Sequence, residues 1–244
     1  MFEDLDLSTI TKIAKENFMP QPFIVGGAVR DFLFGQKKFE DIDITIFSKD
    51  SIRLAILFAN QKNENFRIYK DRHVTVTHNG IVYDFGSNTT HESVRNWMIE
   101  NEKDLTYVES FSRDFTINTM HMSFDGKIFD PCNGKEDIKN KILRTPVSAN
   151  ISLSNDPRRI FRGVYLSSKF DLKIHSDIES FCKNEYKDTV DSAFKTIEIS
   201  KAIKFNPDLT ISNLVSMNLL RTIPLSGAFK ELLIEKNMIL DYLG

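Results

Sequence analysis

The chain predicts an α+β fold in which a mixed α/β head, residues 1–146, precedes an all-helical region, residues 147–244. Three observations carry that expectation. A double glycine, Gly26-Gly27, joins an apolar run to a helix start. Two stretches of period-two alternation stand apart from helical segments. Beyond Arg144-Thr145-Pro146 the apolar spacing becomes helical throughout.

Residues Leu5 to Asn17 read as an amphipathic helix with Ser8 or Thr9 near its start and Ile10, Ile13 and Ala14 on one side; Pro20 and Pro22 end it. Phe23-Ile24-Val25 is a short buried strand, Gly26-Gly27 a tight turn, and Ala28 to Phe34 a helix closed by Gly35. In Asp41 to Phe47 the isoleucines Ile42, Ile44 and Ile46 alternate with Asp41, Asp43 and Thr45, so the two carboxylates project from one face of a strand. A helix over Ser51 to Asn60 follows. His73 to His78 and Ile81 to Phe85, joined by Asn79-Gly80, then form a hairpin, with Asp84 on its return strand between Tyr83 and Phe85. Residues 87–112 are polar and weakly patterned, which predicts a mobile loop carrying one helix around Glu92 to Glu100. Asp114 to Asn118 opens another structured stretch, Thr119 to Ser123 reads as a strand, and Asp125-Gly126 turns into a strand over Lys127 to Asp130. Helices are then expected over Asp156 to Ser168, Ser176 to Asn184, Asp188 to Ile203, Thr210 to Met217 and Phe229 to Leu243.

Composition narrows the class. An apolar fraction of 41% supports a sizeable core. No apolar stretch approaches the roughly 20 residues of a membrane span, and Met1-Phe2-Glu3-Asp4 carries no signal-like segment, so a cytoplasmic protein without membrane partners is expected. Cys132 and Cys182 lack metal spacing and the five histidines are scattered, which argues against a disulfide framework and against zinc. The net charge of −2 is uneven: Ile138 to Lys204 holds 13 Lys and Arg against 8 Asp and Glu. That excess suits a phosphate-facing surface, although a solvated helix face has the same appearance.

Carboxylates at i and i+2 with a third, Asp84, on a neighbouring strand can hold two Mg²⁺ ions that bridge triphosphate oxygens and activate an attacking hydroxyl. The glycine turn before the helix lets backbone N–H groups approach phosphate, and the helix start adds favourable partial charge. Arg30 and Asp31 are placed to support the triphosphate and brace the turn; the plainer alternative for them is an exposed ion pair. Taken alone, Asp-x-Asp and Gly-Gly are both common surface features.

The segment from Phe23 to Gly35, with Asp41-Ile42-Asp43, resembles the head motif of the class II tRNA nucleotidyltransferases (CCA-adding enzymes) and bacterial poly(A) polymerases. Arg113 to Met120 is similar to that family's Arg-Asp-Phe-Thr-Ile-Asn motif, Asp130 to Asp137 with Ile142 to Arg144 to the stretch closing its head, and Asn155 to Arg162 to its neck motif, Glu-Asp-x-x-Arg. The four blocks occur in family order over roughly residues 23 to 170.

The resemblance implies a polymerase-β-like head with a small mixed sheet, followed by a helical neck that reads the incoming base. It implies metal binding by Asp41, Asp43 and Asp84, and nucleotide binding by Gly26, Gly27, Arg30, Arg113, Asp114, Asp156, Arg159 and Arg162. Arg113 and Asp114 would lie near the sugar and phosphates, and Asp156 and Arg159 would address the Watson-Crick edge. An Asp accepts from the exocyclic amine that C and A share while an Arg donates, so such a pair can select CTP and ATP without a template. The implied activity is addition of C and/or A to an RNA 3′ end, most readily that of tRNA, with release of pyrophosphate. The alternatives are a partial CC- or A-adding enzyme, a short poly(A) polymerase, or an RNA-binding protein that lost turnover.

The chain departs from the family pattern at Ser112, Asn155 and Tyr165, where Arg, Glu and Arg are usual, and in the Phe-Gly-Ser-Asn that follows Asp84. Only about 40 residues follow the neck, so a smaller RNA, a second subunit, or a homodimer through the apolar residues of the C-terminal helices is expected to supply the remaining grip.

Overall fold

The computed structural model describes residues 4–46, 50–69, 73–86 and 90–243. Phe47 at the end of the expected strand and residues 87–89 at the start of the expected loop lie outside the described residues. The elements in chain order are α1 (Leu7–Glu16), β1 (Phe23–Val25), α2 (Gly27–Leu33), β2 (Asp41–Thr45), α3 (Ser51–Lys62), β3 (Phe66–Tyr69), β4 (His73–His78), β5 (Ile81–Gly86), α4 (Glu92–Glu100), α5 (Val108–Phe111), β6 (His121–Ser123) and β7 (Ile128–Phe129). They continue with α6 (Gly134–Lys139), β8 (Ile142–Leu143), α7 (Ala149–Asn155), α8 (Arg158–Phe170), β9 (Lys173–Ile174), α9 (Ser176–Asn184), α10 (Ser192–Phe205), α11 (Pro207–Ser216), α12 (Gly227–Glu235) and α13 (Ile239–Leu243). They form two compact units: residues 1–90, 103–113 and 117–134 in the first, and 91–102, 114–116 and 135–244 in the second.

The first unit is built on a seven-stranded sheet of order β3-β4-β5-β2-β1-β6-β7. The β2–β5 pair is parallel and every other pair antiparallel, so the sheet is mixed, as expected. Ile42, Ile44, Val74, Val76, Tyr83 and Phe85 are fully or almost fully buried. Helix α3 packs on β4 and β5, and α1 packs on α3. Phe58 of α3 meets the rings of Tyr83 and Phe85 at 5.2 and 5.7 Å, and the Tyr83 hydroxyl accepts from the Asp6 N–H at 3.0 Å. Ile10, Ile13 and Ala14 are the buried residues the period of α1 predicts, with Leu7 beside them. The hairpin has the expected register, His78 opposite Ile81, with Asn79 and Gly80 both at positive φ.

Two corrections concern local structure. The stretch expected as a polar loop is ordered where it is described. Helix α4 occupies Glu92–Glu100 as expected, but beyond it Leu105–Tyr107 and Val108–Phe111 form two further helical turns with Glu109, Ser110 and Phe111 buried. A short turn that buries polar groups carries no apolar periodicity, so the sequence gives no sign of it. Strand β3 was not expected either; all four of its residues are exposed.

In the second unit α8 lies at the centre, packed on α10 and α11. Gly163 of α8 permits that helix to approach Phe115: a Cβ there would lie 2.9 Å from the Phe115 ring. Strands β8 and β9 pair in parallel, Leu143 opposite Ile174. Lys195 is buried and bridges Asp188 and the Thr222 carbonyl. The last expected helix is two, α12 and α13. Helix α7, Ala149–Asn155, was not foreseen; it carries Ser152 and Leu153 into the core.

Among the described residues no helix is long and apolar enough to cross a membrane.

Candidate active site

Register assembles the carboxylates. Asp41 and Asp43 leave β2 on the same face, and in the parallel pairing Asp43 lies opposite Asp84 of β5. Asp84 in turn lies opposite Thr75 of β4, whose hydroxyl donates to Asp84 Oδ1 at 3.3 Å. Asp41 is exposed while Asp43 and Asp84 are half-buried, whereas their strand neighbours Ile42, Ile44, Tyr83 and Phe85 are buried beneath. Thr45, expected on the same face, is instead fully buried under α5, where its hydroxyl donates to Glu109 Oε2 at 3.4 Å.

Burial raises the Asp43 carboxyl to about 6; the cation of Arg113 opposes the rise, and the charges of Asp41 and Asp84 add to it. Partial desolvation of the carboxyl and the charge of Asp84 likewise hold Asp41 above its ordinary value. Three carboxylates crowded on one face repel one another, and this repulsion is what a bound cation relieves.

The glycine turn stands directly beside this face. Gly26 has φ +69°, and a Cβ on it would lie 2.7 Å from both Asp43 Oδ2 and Arg113 Nη1. Only glycine combines that backbone with that approach. Helix α2 begins at Gly27. Arg30, one turn on, is not the exposed ion-pair member that the plainer reading allowed. It is buried, donates from Nε to Asp31 Oδ1 at 2.7 Å and from Nη1 to Asn118 Oδ1 at 2.7 Å, and keeps Nη2 within 3.2 Å of where a Gly27 Cβ would be.

Asp43 lines two cavities. One, of about 470 Å³, is bordered by Gly27, Arg30, Asp31, Lys38 and Asp41. The other, of about 220 Å³, is bordered by Val25, His73, Asp84, Gly86 and Arg113. Glu109, Asn118, Lys38 and His73 were not singled out from sequence. Glu109 pairs with Arg113 at 3.5 Å and so anchors the guanidinium beside Gly26. The sole available signal was for Asn118, the last residue of the Arg113 to Asn118 motif.

The second unit holds the remaining expected residues. The Asp156 carboxylate accepts from Arg158 Nε at 2.8 Å and Nη2 at 3.1 Å and from Arg162 Nη2 at 3.4 Å; Oδ1 also accepts from the Arg158 N–H at 3.2 Å. Burial raises its pKa, and the hydrogen bond from Arg158 with the charges of Arg162 and Arg158 outweighs that, leaving it below the ordinary value. Arg162 also pairs with Asp114 at 3.6 Å. Arg159 is buried and donates to Ser152 Oγ at 2.7 Å; burial lowers its pKa and Asp114 partly restores it.

The departures from the family pattern have local partners of their own. Ser112 Oγ donates to the Val108 carbonyl at 2.7 Å, and Asn155 and Ser93 exchange hydrogen bonds at 3.0 and 3.3 Å. Tyr165 packs edge-on against Phe205 at 6.0 Å.

The central strand of the mixed sheet thus carries the paired aspartates beside the Gly-Gly turn. The chain belongs to the family of the poly A polymerase head domain, which matches residues 22–144. A CC-adding tRNA nucleotidyltransferase of Halalkalibacterium halodurans is 29% identical over 79% of this chain and 46% of its own length. A CCA-adding enzyme of Geobacillus stearothermophilus is 31% identical over 64% of this chain and 38% of its own. The fold matches that of the Bacillus stearothermophilus CCA-adding enzyme in complex with CTP (TM-score 0.72, 24% identity, 93% of this chain and 55% of that one). It also matches a Thermotoga maritima CCA-adding enzyme complexed with tRNA (TM-score 0.71, 22% identity, 88% and 50%). The chain thus spans about half the length, or less, of the relatives it matches.

Proposed function

We propose that the protein is a template-independent RNA nucleotidyltransferase that adds C and/or A from CTP or ATP to an RNA 3′ end, that of tRNA, with release of pyrophosphate. The observation that carries this reading is the convergence of Asp41, Asp43 and Asp84 on one sheet face against the Gly26-Gly27 turn. The relatives named for CC and CCA addition support it.

The donor set fits Mg²⁺. Among the described residues no group of three or more His, Cys, Asp and Glu side chains is arranged to hold a metal ion by itself. Mg²⁺ needs none, because it is a hard ion usually held by one or two carboxylates together with phosphate oxygens and water. In this reading Asp41, Asp43 and Asp84 hold it. When bound there, the ion supplies charge stabilisation on the triphosphate and a lowered pKa for the attacking 3′ hydroxyl.

The chain's own groups do the rest. Backbone N–H groups of the Gly26-Gly27 turn, with Arg30 behind them, receive the triphosphate in the 470 Å³ groove, a volume within the range of small-molecule sites. Arg113, braced by Glu109, neutralises phosphate charge next to Asp43. The head, residues 1–146, performs the transfer, and the helical region from residue 147 selects the base. There Asp156, ionised and acceptor-only, receives the exocyclic amine once Arg158 yields its place, and Arg159 donates to the ring edge. Asp114 and Arg162 orient this pair.

The test is incorporation of labelled CTP, ATP, GTP and UTP into tRNA lacking its 3′ end, with Mg²⁺, beside a protein carrying Asp41→Ala and Asp43→Ala. C and A addition that vanishes in the variant is expected, and product length separates CC, A and CCA addition. Equal incorporation by both proteins, or none by either, overturns the reading.

A further inference from the structure

Edge strand β3 has no place in the reading above, and neither does the cavity wall opposite the triphosphate groove. Strand register ties them to the carboxylates. Asp43 lies opposite Asp84, Asp84 opposite Thr75, and Thr75 opposite Arg67 of β3, so one row of the sheet runs from the metal-binding face to the edge. One step along, His73 lies opposite Tyr69. Residues two apart on a strand share a face, so Arg67, Tyr69, His73 and Thr75 belong to the face of Asp43 and Asp84.

His73 lines the 220 Å³ cavity together with Asp43, Asp84 and Arg113. Its ring stacks on Tyr69 with centroids 5.0 Å apart and planes within 17°. Tyr69 stays 42% exposed and Arg67 is exposed beside it. A large exposed aromatic ring next to a cation, leading into a carboxylate-bearing cavity, is an unusual way to leave a sheet edge. Solvent contact alone would favour charged residues there. Stacked aromatics flanked by Arg are the chemistry that grips single-stranded nucleic acid, because every base offers a π-face and every linkage a phosphate.

We propose that Tyr69, His73 and Arg67 form the platform for the 3′-terminal nucleotide of the acceptor RNA: its base stacks on the Tyr69–His73 pair, and Arg67 meets the neighbouring phosphate. This rests on the nucleotidyltransferase reading and deepens it. Asp43 lines both cavities, so triphosphate in the one bordered by Gly27 and acceptor in the one bordered by His73 bring the two reactants to the same carboxylate. Tyr69 and Arg67 are positioning residues in this scheme, and they hold the RNA end without touching the reacting phosphate.

The experiment compares wild type with Tyr69→Ala, Tyr69→Phe and Arg67→Ala in two assays. Steady-state incorporation gives KM for the acceptor and for CTP or ATP separately. Fluorescence of a short single-stranded RNA carrying 2-aminopurine as its 3′-terminal base, without nucleotide, reads stacking directly. Tyr69→Ala is expected to raise acceptor KM about tenfold, leave nucleotide KM and kcat within about twofold, and abolish the quench of 2-aminopurine; Tyr69→Phe restores both. Arg67→Ala is expected to lower the salt dependence of RNA binding by about one counterion.

Unchanged acceptor KM in Tyr69→Ala, or a rise confined to nucleotide KM, overturns the platform. Loss of dimerisation in Tyr69→Ala with intact quench would assign the edge strand to a second copy of the chain instead. If wild type incorporates nothing, the activity reading fails, and the 2-aminopurine quench with its dependence on Tyr69 still decides the platform.

Discussion

Replacing Asp43 by Asn removes one of three mutually repelling carboxylates while keeping its shape, and it is expected to stabilise the protein as it disables it. The Asp43 carboxyl titrates at about 6 in the folded chain against an ordinary 3.8, chiefly because it is buried. A folded pKa above the unfolded one means that the folded state binds the proton more tightly. The protonated form's stability is complete below pH 3.8 and is lost as pH rises through about 6. A shift of about two units corresponds to about 3 kcal/mol at pH 8. Asp43 keeps partial solvent access, so screening reduces the expected gain of Asp43→Asn over wild type to about 2 kcal/mol at pH 8, falling below about 1 kcal/mol at pH 4.

The assay is urea unfolding of both proteins at pH 4 and 8 in EDTA, with thermal melting as a second probe; 2 kcal/mol in a chain of this size moves Tm by about 5 °C. Taking the difference between the two proteins cancels other titrations, notably that of His121. Burial, aided by the charge of Arg113, holds that residue down at about 4, which acts in the opposite direction as pH falls. An advantage independent of pH, or a variant less stable at pH 8, would refute the argument that the ionised Asp43 is strained.

Adding Mg²⁺ at pH 8 should raise the melting temperature of wild type and leave Asp43→Asn unmoved, as followed by thermal shift against metal concentration. Gly26→Ala forces a side chain into φ +69° and against Asp43 and Arg113. It should cost about 2 kcal/mol by chemical denaturation and reduce incorporation more than proportionately. Gly163→Ala, whose Cβ would meet Phe115 at 2.9 Å, should destabilise by about 1–3 kcal/mol. Adding Phe115→Leu should recover part of that, which a double-mutant cycle measures. Arg158→Ala should cost less than about 1 kcal/mol, since Arg158 is exposed. It should also raise the Asp156 pKa, read by carbon-13 NMR titration, because the hydrogen bond and charge that hold it down are gone.

The sequence by itself determined the elements whose signal is local. Alternation in Asp41 to Ile46 gave the common face of Asp41 and Asp43, Asn79-Gly80 gave the hairpin, and Gly26-Gly27 gave the turn, because side-chain period and backbone permissiveness belong to single residues and their immediate neighbours. Helices over Glu92–Glu100 and Ser176–Asn184 were legible for the same reason. Tertiary structure alone decided what depends on partners distant in the chain. It set the register that places Asp84 beside Asp43, 41 positions away, and the burial that turns Arg30 from a surface cation into a ligand of Asn118. It also covered Thr45 with Glu109 and used the exposed strand Phe66–Tyr69 to extend the carboxylate face to the sheet edge. Pairing between strands distant in the chain, such as Asp43 with Asp84, and exclusion of water are properties of the assembled sheet, and no short window of the sequence contains both members of such a pair.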